Sequence, residues 1–415
     1  MLPVAVVGGG AAGLMAAIFA ANAGRRVVLL ETTRDGGRKI LISGGGRCNV
    51  LPSTLSPTQF VSTSSPNTLK KILLSWPLSE QRRYFEQVLG IELVQEQATG
   101  KLFPSSNSAR QVRDALVERA RSAGAELRFN SPVRDLVPAT RDSGWRLHVG
   151  DGTVLEAAAV IVATGGMSVP ATGSDGAGLR LLETLGHAVN DTYPALTPLT
   201  AEPAVHGALA GVSLDVILEA PTRRGRFTSR GGFLFTHRGY SGPAVLNISH
   251  LAVRSRLAGA GRQPIYVQWT ELDTAAWDAE LRSAGAGQVG PLVKRHLPDR
   301  LAEALLAEAD VPPGRLLAEL RREERQRLVT VLTRYPLPWT GDEGYRKAEV
   351  TGGGVALDQV HVHSLESRHH RGLFLCGEVL DAFGPIGGYN FAWAWATGRA
   401  AGISAAAAGS AGGTE

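Results

Sequence analysis

Apolar positions fall into two patterns along the 415-residue chain. Near both ends, short runs are apolar throughout: Val4-Ala-Val-Val7, Val27-Val-Leu-Leu30, Ala159-Val-Ile-Val-Ala163 and Leu373-Phe-Leu-Cys376. Runs of this kind predict strands buried on both faces, as in a parallel sheet. The alanine-rich stretch 11–23 lies between the first two runs and stops at Gly24, so it predicts a helix closed by a glycine. Residues 126–129, 132–137, 145–149 and 154–158 read as further strands, forming a meander before the run at 159. In the middle of the chain, Pro194, Pro198 and Pro203 mark a crossing into short strands at 214–218, 232–235 and 265–269. Residues 274–335 read as helices, with apolar positions at Leu301, Leu305 and Leu306 and at Leu316, Leu317 and Leu320. A last helix is expected from Asn390 through Ala400.

The turns between these elements carry the chemistry. Gly8, Gly10 and Gly13 come directly after the first strand as G-x-G-x-x-G. The first permits a tight turn, the second lets a pyrophosphate approach the backbone, and the third packs the helix close to the sheet. The helix amides and its positive dipole end would face the phosphates. Glu31 ends the second strand, 18 residues after Gly13, where a carboxylate can accept both hydroxyls of an adenosine ribose. Together these features predict a bound dinucleotide.

The residues after Glu31 separate FAD from NAD. The segment from Gly36 to Asn49 is basic and dense in glycine, where a nicotinamide dehydrogenase would proceed to another helix and strand. Arg38, Lys39 and Arg47, with the backbone amides around Ser43, Gly45 and Gly46, suit an extended anionic ligand. Ala163-Thr164-Gly165-Gly166 brings backbone to the carboxyl edge of the sheet and is read as a cofactor contact. Val133 is either a plain strand residue or a contact. At the far end, Gly377-Glu378 ends a strand and Gly387-Gly388-Tyr389-Asn390-Phe391 opens the last helix. Asn390 could cap that helix, whose N-terminus would stabilise negative charge on a reduced flavin. Trp393 and Trp395 are read as packing.

Composition narrows the classes. Hydrophobic content of 44% with 20% charge is that of an ordinary globular protein. Net charge is +5, carried by 37 arginines and six lysines that are scattered, with no basic run of the kind that marks a nucleic-acid tail. Two distant cysteines, Cys48 and Cys376, argue against a disulfide framework, and no paired motif supports a redox disulfide. Cys48 reads as a packed thiol beside the cofactor and Cys376 as a strand residue. The chain opens on a strand, and 11–23 is too short to span a bilayer, so a cytoplasmic location is expected. His361, His363, His369 and His370 lack metal-ligand spacing, and no metal is expected.

The chain resembles flavoproteins of the glutathione-reductase-like superfamily, and more narrowly the HI0933-type bacterial NAD(P)/FAD-dependent oxidoreductases. The resemblance rests on the segments 6–13, 37–49, Thr172-Gly-Ser-Asp-Gly-Ala-Gly178 and Phe235-Thr-His-Arg-Gly-Tyr-Ser-Gly-Pro-Ala244. It also rests on Thr351-Gly-Gly-Gly-Val355, Gly377-Glu-Val-Leu-Asp381 and Gly387-Gly-Tyr-Asn390. Leu51-Pro52 departs from the family's usual Thr-Asn.

The resemblance implies an α/β fold, with a Rossmann-like FAD-binding domain built from both chain ends (1–192 and 349–405). An inserted β-barrel (193–272 with about 336–348), a helical subdomain (273–335) and a flexible tail (406–415) complete it. It places Glu378 at the ribityl–pyrophosphate region and adds Ala11, Ala12, Cys48 and Asn49 to the cofactor contacts. NADH or NADPH as a transient cosubstrate also rests on it, since no second G-x-G-x-x-G opens a nicotinamide domain.

The expected activity is that of a reductase passing hydride through FAD to a small organic acceptor. Gly173-Ser-Asp-Gly176 keeps open a dehydrogenase or oxidase of the fumarate-reductase and aspartate-oxidase kind. An RNA-modifying flavoprotein or a flavin-bound sensor is the third class. His237, with Tyr240 or Arg238, is the one candidate proton donor outside the cofactor, against a structural reading of the same histidine.

Overall fold

A computed structural model describes residues 1–97, 99–139, 144–223, 225–259, 261–282 and 287–408. Of the tail expected at 406–415, residues 406–408 belong to the closing helix and the remainder lies outside the described residues. The chain divides into two units, Met1–Tyr193 with Val350–Glu415, and Pro194–Glu349.

The first unit is built on a five-stranded parallel sheet. Its order is Leu373–Leu375, Ala159–Val162, Val4–Val7, Val27–Leu30, Ala125–Arg128. The first four strands are buried at every residue, as uninterrupted apolar runs require when helices or loops cover both faces. The edge strand Ala125–Arg128 is only part-buried and carries charge. The meander forms as Val133–Pro138, Trp145–Val149 and Val154–Ala157, paired antiparallel. The apolar pattern assigns no elements to residues 50–124. They hold helices Pro66–Leu74, Leu78–Arg83 and Ala109–Ser122 and a small sheet of Leu51–Pro52, Leu93–Glu96 and Lys101–Pro104.

The first helix, Ala11–Asn22, and the closing helix, Tyr389–Ala408, lie backbone to backbone. A side chain at Gly398 or Gly402 would overlap the carbonyl oxygens of Ala12 and Ala16. Trp393 and Trp395 are buried, their indole N–H groups donating to the Gly377 and Val50 carbonyls at 3.0 and 3.1 Å.

The second unit carries a seven-stranded antiparallel sheet. Its order is Tyr335–Pro336, Tyr266–Gln268, Ser213–Thr222, Gly225–Thr236, Gly239–Ser241, Leu199–Thr200, Gly341–Asp342. The two outermost strands are consecutive in the chain, and residues 337–340 between them bond back to the sheet through Leu337 N–H and Thr340 N–H. The helices Thr274–Arg282, Val289–Lys294, Asp299–Glu308 and Arg322–Thr333 share one apolar core with this sheet. The expected helix around Leu316, Leu317 and Leu320 is absent apart from a single turn at Leu317–Glu319. Pro312-Pro313-Gly314 leads instead into an extended segment in which Leu316 bridges Gln288.

Candidate cofactor site

The opening turn is a close three-way approach of backbone. A Cβ at Gly13 would overlap the Gly8 carbonyl oxygen, and one at Gly8 would come within 2.6 Å of the Ala163 carbonyl oxygen. At Gly10 a Cβ would meet nothing within 4 Å, so the helix N-terminus is open on that side. This is the geometry a diphosphate needs: helix amides approachable without a side chain in the way. Glu31 is buried and already holds the turn. One carboxylate oxygen accepts from Gly9 N–H at 2.6 Å, and the other from Thr33 N–H and Oγ at 2.7 Å each. A carboxylate oxygen accepts about two bonds, so the oxygen facing Gly9 keeps one acceptor position open.

The basic segment is more ordered than a loop. Gly37, at φ 71°, starts a short helix Arg38–Ile42, after which Ser43–Gly46 coil tightly. The three cations diverge. Arg38 pairs with Asp35 at 3.3 Å and reaches the Ala171 carbonyl. Arg47 turns outward to Glu96 at 3.2 Å, its guanidinium 4.1 Å above the Phe103 ring. Lys39 turns inward. Gly45 and Gly46 are exposed, with open space where a Cβ would stand. The Ser43 hydroxyl donates to the Ile40 carbonyl, which closes the short helix.

Cys48 is fully buried, and burial pushes its thiol up to about 12, so it is a packed thiol and no nucleophile. The Asn49 amide lies 3.2 Å from both Gly388 N and the Leu51 carbonyl, and in the orientation that satisfies both it accepts from the first and donates to the second. The loop at 37–49 and the closing segment are thereby tied together.

The closing segment meets the opening turn directly. A Cβ at Gly377 would lie 2.8 Å from that of Ala12. Glu378 Oε2 accepts from Lys39 Nζ at 2.7 Å, while its Oε1 accepts from the Ser168 hydroxyl at 2.7 Å and Thr351 N–H at 3.0 Å. Lys39 also donates to the Ser168 hydroxyl at 2.6 Å. Thr351 Oγ in turn accepts from Met167 N–H and Ser168 N–H.

Ser168 and Thr351 are site residues the sequence did not single out, although Thr351 opens one of its glycine motifs. Asp381, buried three residues beyond Glu378, was likewise not singled out: it accepts from Thr63 N–H, Thr63 Oγ and Asn190 Nδ2 at 3.0, 2.6 and 2.8 Å. Their partners are far off in the chain, so no local pattern could have flagged them.

Other residues take different roles from those expected. The Thr164 hydroxyl is turned against Gly178 and has no hydrogen-bond partner among the described residues, which leaves the backbone of 163–165 to face the turn. Val133 is a buried residue at the start of its strand. Asn390 is the second residue of the closing helix and does not cap it. Its amide clamps both the N–H and the carbonyl of Gly384, at 2.9 and 3.0 Å. Gly388 abuts the Leu51 backbone, Tyr389 accepts from Gln59, and Phe391 stacks on Trp395 at 5.3 Å.

In the second unit, Tyr240 is completely buried, with its hydroxyl 2.8 Å from His206 Nδ1, and burial pushes the pKa of its phenol up from the ordinary value of 10.0. Its hydroxyl is thus engaged within the core and away from solvent. His237 sits exposed in the turn before Gly239. Among the described residues no three His, Cys, Asp or Glu side chains gather as a metal site, and His369 and His370 pack around His187.

A glycine turn, a carboxylate at the second strand end and a closing segment from the far end of the chain define a flavin-dependent oxidoreductase of the dinucleotide-binding class. The chain belongs to the HI0933-like protein Rossmann domain family, whose model matches residues 2–404, and it is an FAD-dependent oxidoreductase. It is 34% identical over 403 residues to the ribosomal RNA dihydrouridine synthase of Escherichia coli K12, covering 94% of this chain and 95% of that one. It is 28% identical over 410 residues to the 3-dehydro-bile acid delta(4,6)-reductase of Clostridium scindens, covering 97% and 98%.

Among solved structures, 3-ketosteroid delta1-dehydrogenase from Sterolibacterium denitrificans matches with a TM-score of 0.52 at 13% identity, covering 98% of this chain and 99% of that one. The E. coli quinol fumarate reductase chain FrdA matches at 0.51 and 16% identity, covering 100% and 71%. These two show a shared fold. Among the described residues no helix is long and apolar enough to cross a membrane.

Proposed function

We propose that the protein is a reductase that saturates a carbon–carbon double bond conjugated to a carbonyl, with electrons from NADH or NADPH, and that its substrate is a uracil ring in ribosomal RNA. The observation that carries the cofactor part is the convergence of the 8–13 turn, the Asn49–Gly388 tie and Glu378 in one unit.

Gly8, Gly10, Ala11, Ala12 and Gly13 would hold the diphosphate, and Glu31 the adenosine ribose. Val133 would lie near the adenosine end, two residues past Ser131, whose N–H donates to the Glu31 carbonyl. Ala163, Thr164 and Gly165 would line the middle through their backbone, and Gly377 and Glu378 the ribityl chain. Lys39, Ser43, Gly45, Gly46, Arg47, Cys48 and Asn49 shape the loop that covers it, with Arg38 at its start. Gly388, Tyr389, Asn390 and Phe391 bring the closing helix N-terminus to the ring, a favourable field for negative charge of about 0.3–2 kcal/mol. FAD, when bound, supplies the hydride transfer.

The substrate part is supported by the two relatives taken together. Making dihydrouridine saturates the C5=C6 bond of a uracil, which is conjugated to its C4 carbonyl. A delta(4,6)-reductase of a 3-dehydro steroid acts on double bonds conjugated to a ketone. The shared chemistry is reduction of an activated alkene. The RNA substrate is favoured by the higher identity of the ribosomal RNA enzyme, although the sequence has no basic run. The 28% relative favours a second reading, a small cyclic enone.

Purified protein should be yellow, and anaerobic NADH or NADPH should bleach its flavin. Ribosomal RNA from a strain lacking the gene should then gain dihydrouridine, read by nucleoside mass spectrometry. Bleaching with reduction of a steroidal dienone and no change in RNA would move the assignment to the small-molecule reading. A protein that refuses FAD would sink both.

A further inference from the structure

Lys39 stands apart from the other cations of its loop. Arg38 and Arg47 pair with carboxylates at the rim, whereas Lys39 reaches Glu378, 339 positions along the chain, and Ser168 beside it. Four separate segments meet there: the short helix Arg38–Ile42, the strap after Ala159–Val162, the strand Val350–Val355 and the turn Gly377–Val379. Ser168 is wholly buried, and Lys39 and Glu378 are 27% and 17% exposed at their side chains. The pair is thus shielded from solvent on most sides, where a lone carboxylate would be costly.

The carboxylate lies next to Gly377, which abuts Ala12 at the N-terminus of the first helix. A diphosphate held at that N-terminus would repel an uncompensated Glu378. The three donors on the carboxylate also fix its orientation: Oε1 takes two bonds and Oε2 one, so a single acceptor position remains on Oε2.

We propose that Lys39 is a positioning residue: it cancels the charge of Glu378 and aims its one open acceptor position at a cofactor hydroxyl, and does not itself bind phosphate. The inference rests on the reading of this site as one for FAD. The direct alternative, a lysine contacting the diphosphate, predicts a different response to mutation.

The test uses the full-length protein stripped of flavin and titrated with FAD, monitored by flavin fluorescence. Lys39→Met should weaken binding on the order of 100-fold, because the largely enclosed Glu378 is left without a counter-charge. Adding Glu378→Gln to that variant should restore affinity to within about tenfold of the wild type, since the uncompensated charge is gone. Lys39→Arg should fall between. The double variant should keep the wild-type dependence on ionic strength, because no phosphate contact has been lost.

The inference is overturned if Lys39→Met binds FAD like wild type. It is also overturned if the double variant is as weak as the single one, or if its salt dependence is clearly shallower. Circular dichroism checks that the single variant is folded; if it is not, comparing the double variant with Glu378→Gln alone decides. Wild-type protein that takes up no FAD would instead overturn the cofactor reading itself.

Discussion

The two units manage buried polar groups in opposite ways. In the first, Glu31, Lys39, Ser168, Glu378 and Asp381 gather where strand ends, a glycine turn and the closing segment meet. In the second, His206 bonds to Tyr240 and Tyr335 inside a core of Phe233, Phe235 and Trp269, and reaches Glu308 at the surface. The polar groups of both sets are hydrogen-bonded, and both sets contain residue types that catalysis uses. The difference is position. A parallel sheet sends all its strand ends, and the loops attached to them, to one edge, so its polar groups collect beside open backbone. The antiparallel sheet encloses its network among aromatic rings, where it fixes packing. A hydrogen-bonded cluster marks a site only when something can reach it.

The comparison breaks most severely if the first unit tolerates crowding at its turn. Gly13→Val places a side chain on the Gly8 carbonyl oxygen and should cost on the order of 4 kcal/mol, with loss of bound flavin. A denaturant melt and an absorbance spectrum measure both, and a stable yellow variant would contradict the tight-turn account.

Each unit also carries a buried histidine whose burial disfavours its charged form, His187 in the first and His250 in the second, so acid should weaken both. Burial lowers His187 and His250 to about 4, from an ordinary value of 6.5. His187 is bonded to the Leu182 carbonyl and the Ser367 hydroxyl, and His250 to the Asn247 carbonyl. Between those pH values the unfolded chain binds more protons than the folded one. Stability is therefore complete above about pH 6.5 and declines as pH falls toward 4, by on the order of 2 kcal/mol for each histidine. Urea melts at pH 7 and 4.5 should show the loss, and His187→Gln and His250→Gln should each remove part of it. An unchanged slope in both variants would place the acid sensitivity elsewhere.

Tyr240→Phe sharpens the contrast within the second unit. It leaves His206 Nδ1 without its partner and should cost about 1–2 kcal/mol, while flavin content and its bleaching stay at wild-type levels. Loss of bleaching without loss of stability would return Tyr240 to the list of catalytic candidates. The smallest effect is expected at the rim: Arg47→Ala removes an exposed ion pair with Glu96 and should shift stability by less than about 1 kcal/mol. A larger drop in thermal melting would mean the loop depends on that pair.

Much of the first unit is legible in the sequence because its information is local. Unbroken apolar runs identify the parallel strands, and Gly8, Gly10, Gly13 and Glu31 stand at spacings set by one turn and one helix. The second unit is less legible. Leu316, Leu317 and Leu320 have helical spacing, yet the preceding prolines hold that segment extended. Tyr240 lies in a motif rich in possible catalytic groups, and only its packing shows that it is sealed. Within the first unit, the inward turn of Lys39 and the contribution of Ser168 depend on partners far away in the chain, and the clamp that Asn390 makes on Gly384 six residues earlier depends on how the closing segment folds back.

The class of cofactor is already written in the order of residues, because a dinucleotide turn and the glycine-dense loop after Glu31 impose residue types at fixed short separations. Which cation meets which carboxylate is settled by folding alone. Arg38, Lys39 and Arg47 are nearly equivalent as text, and the fold brings just one of them to Glu378, where partial enclosure makes an unpaired charge costly.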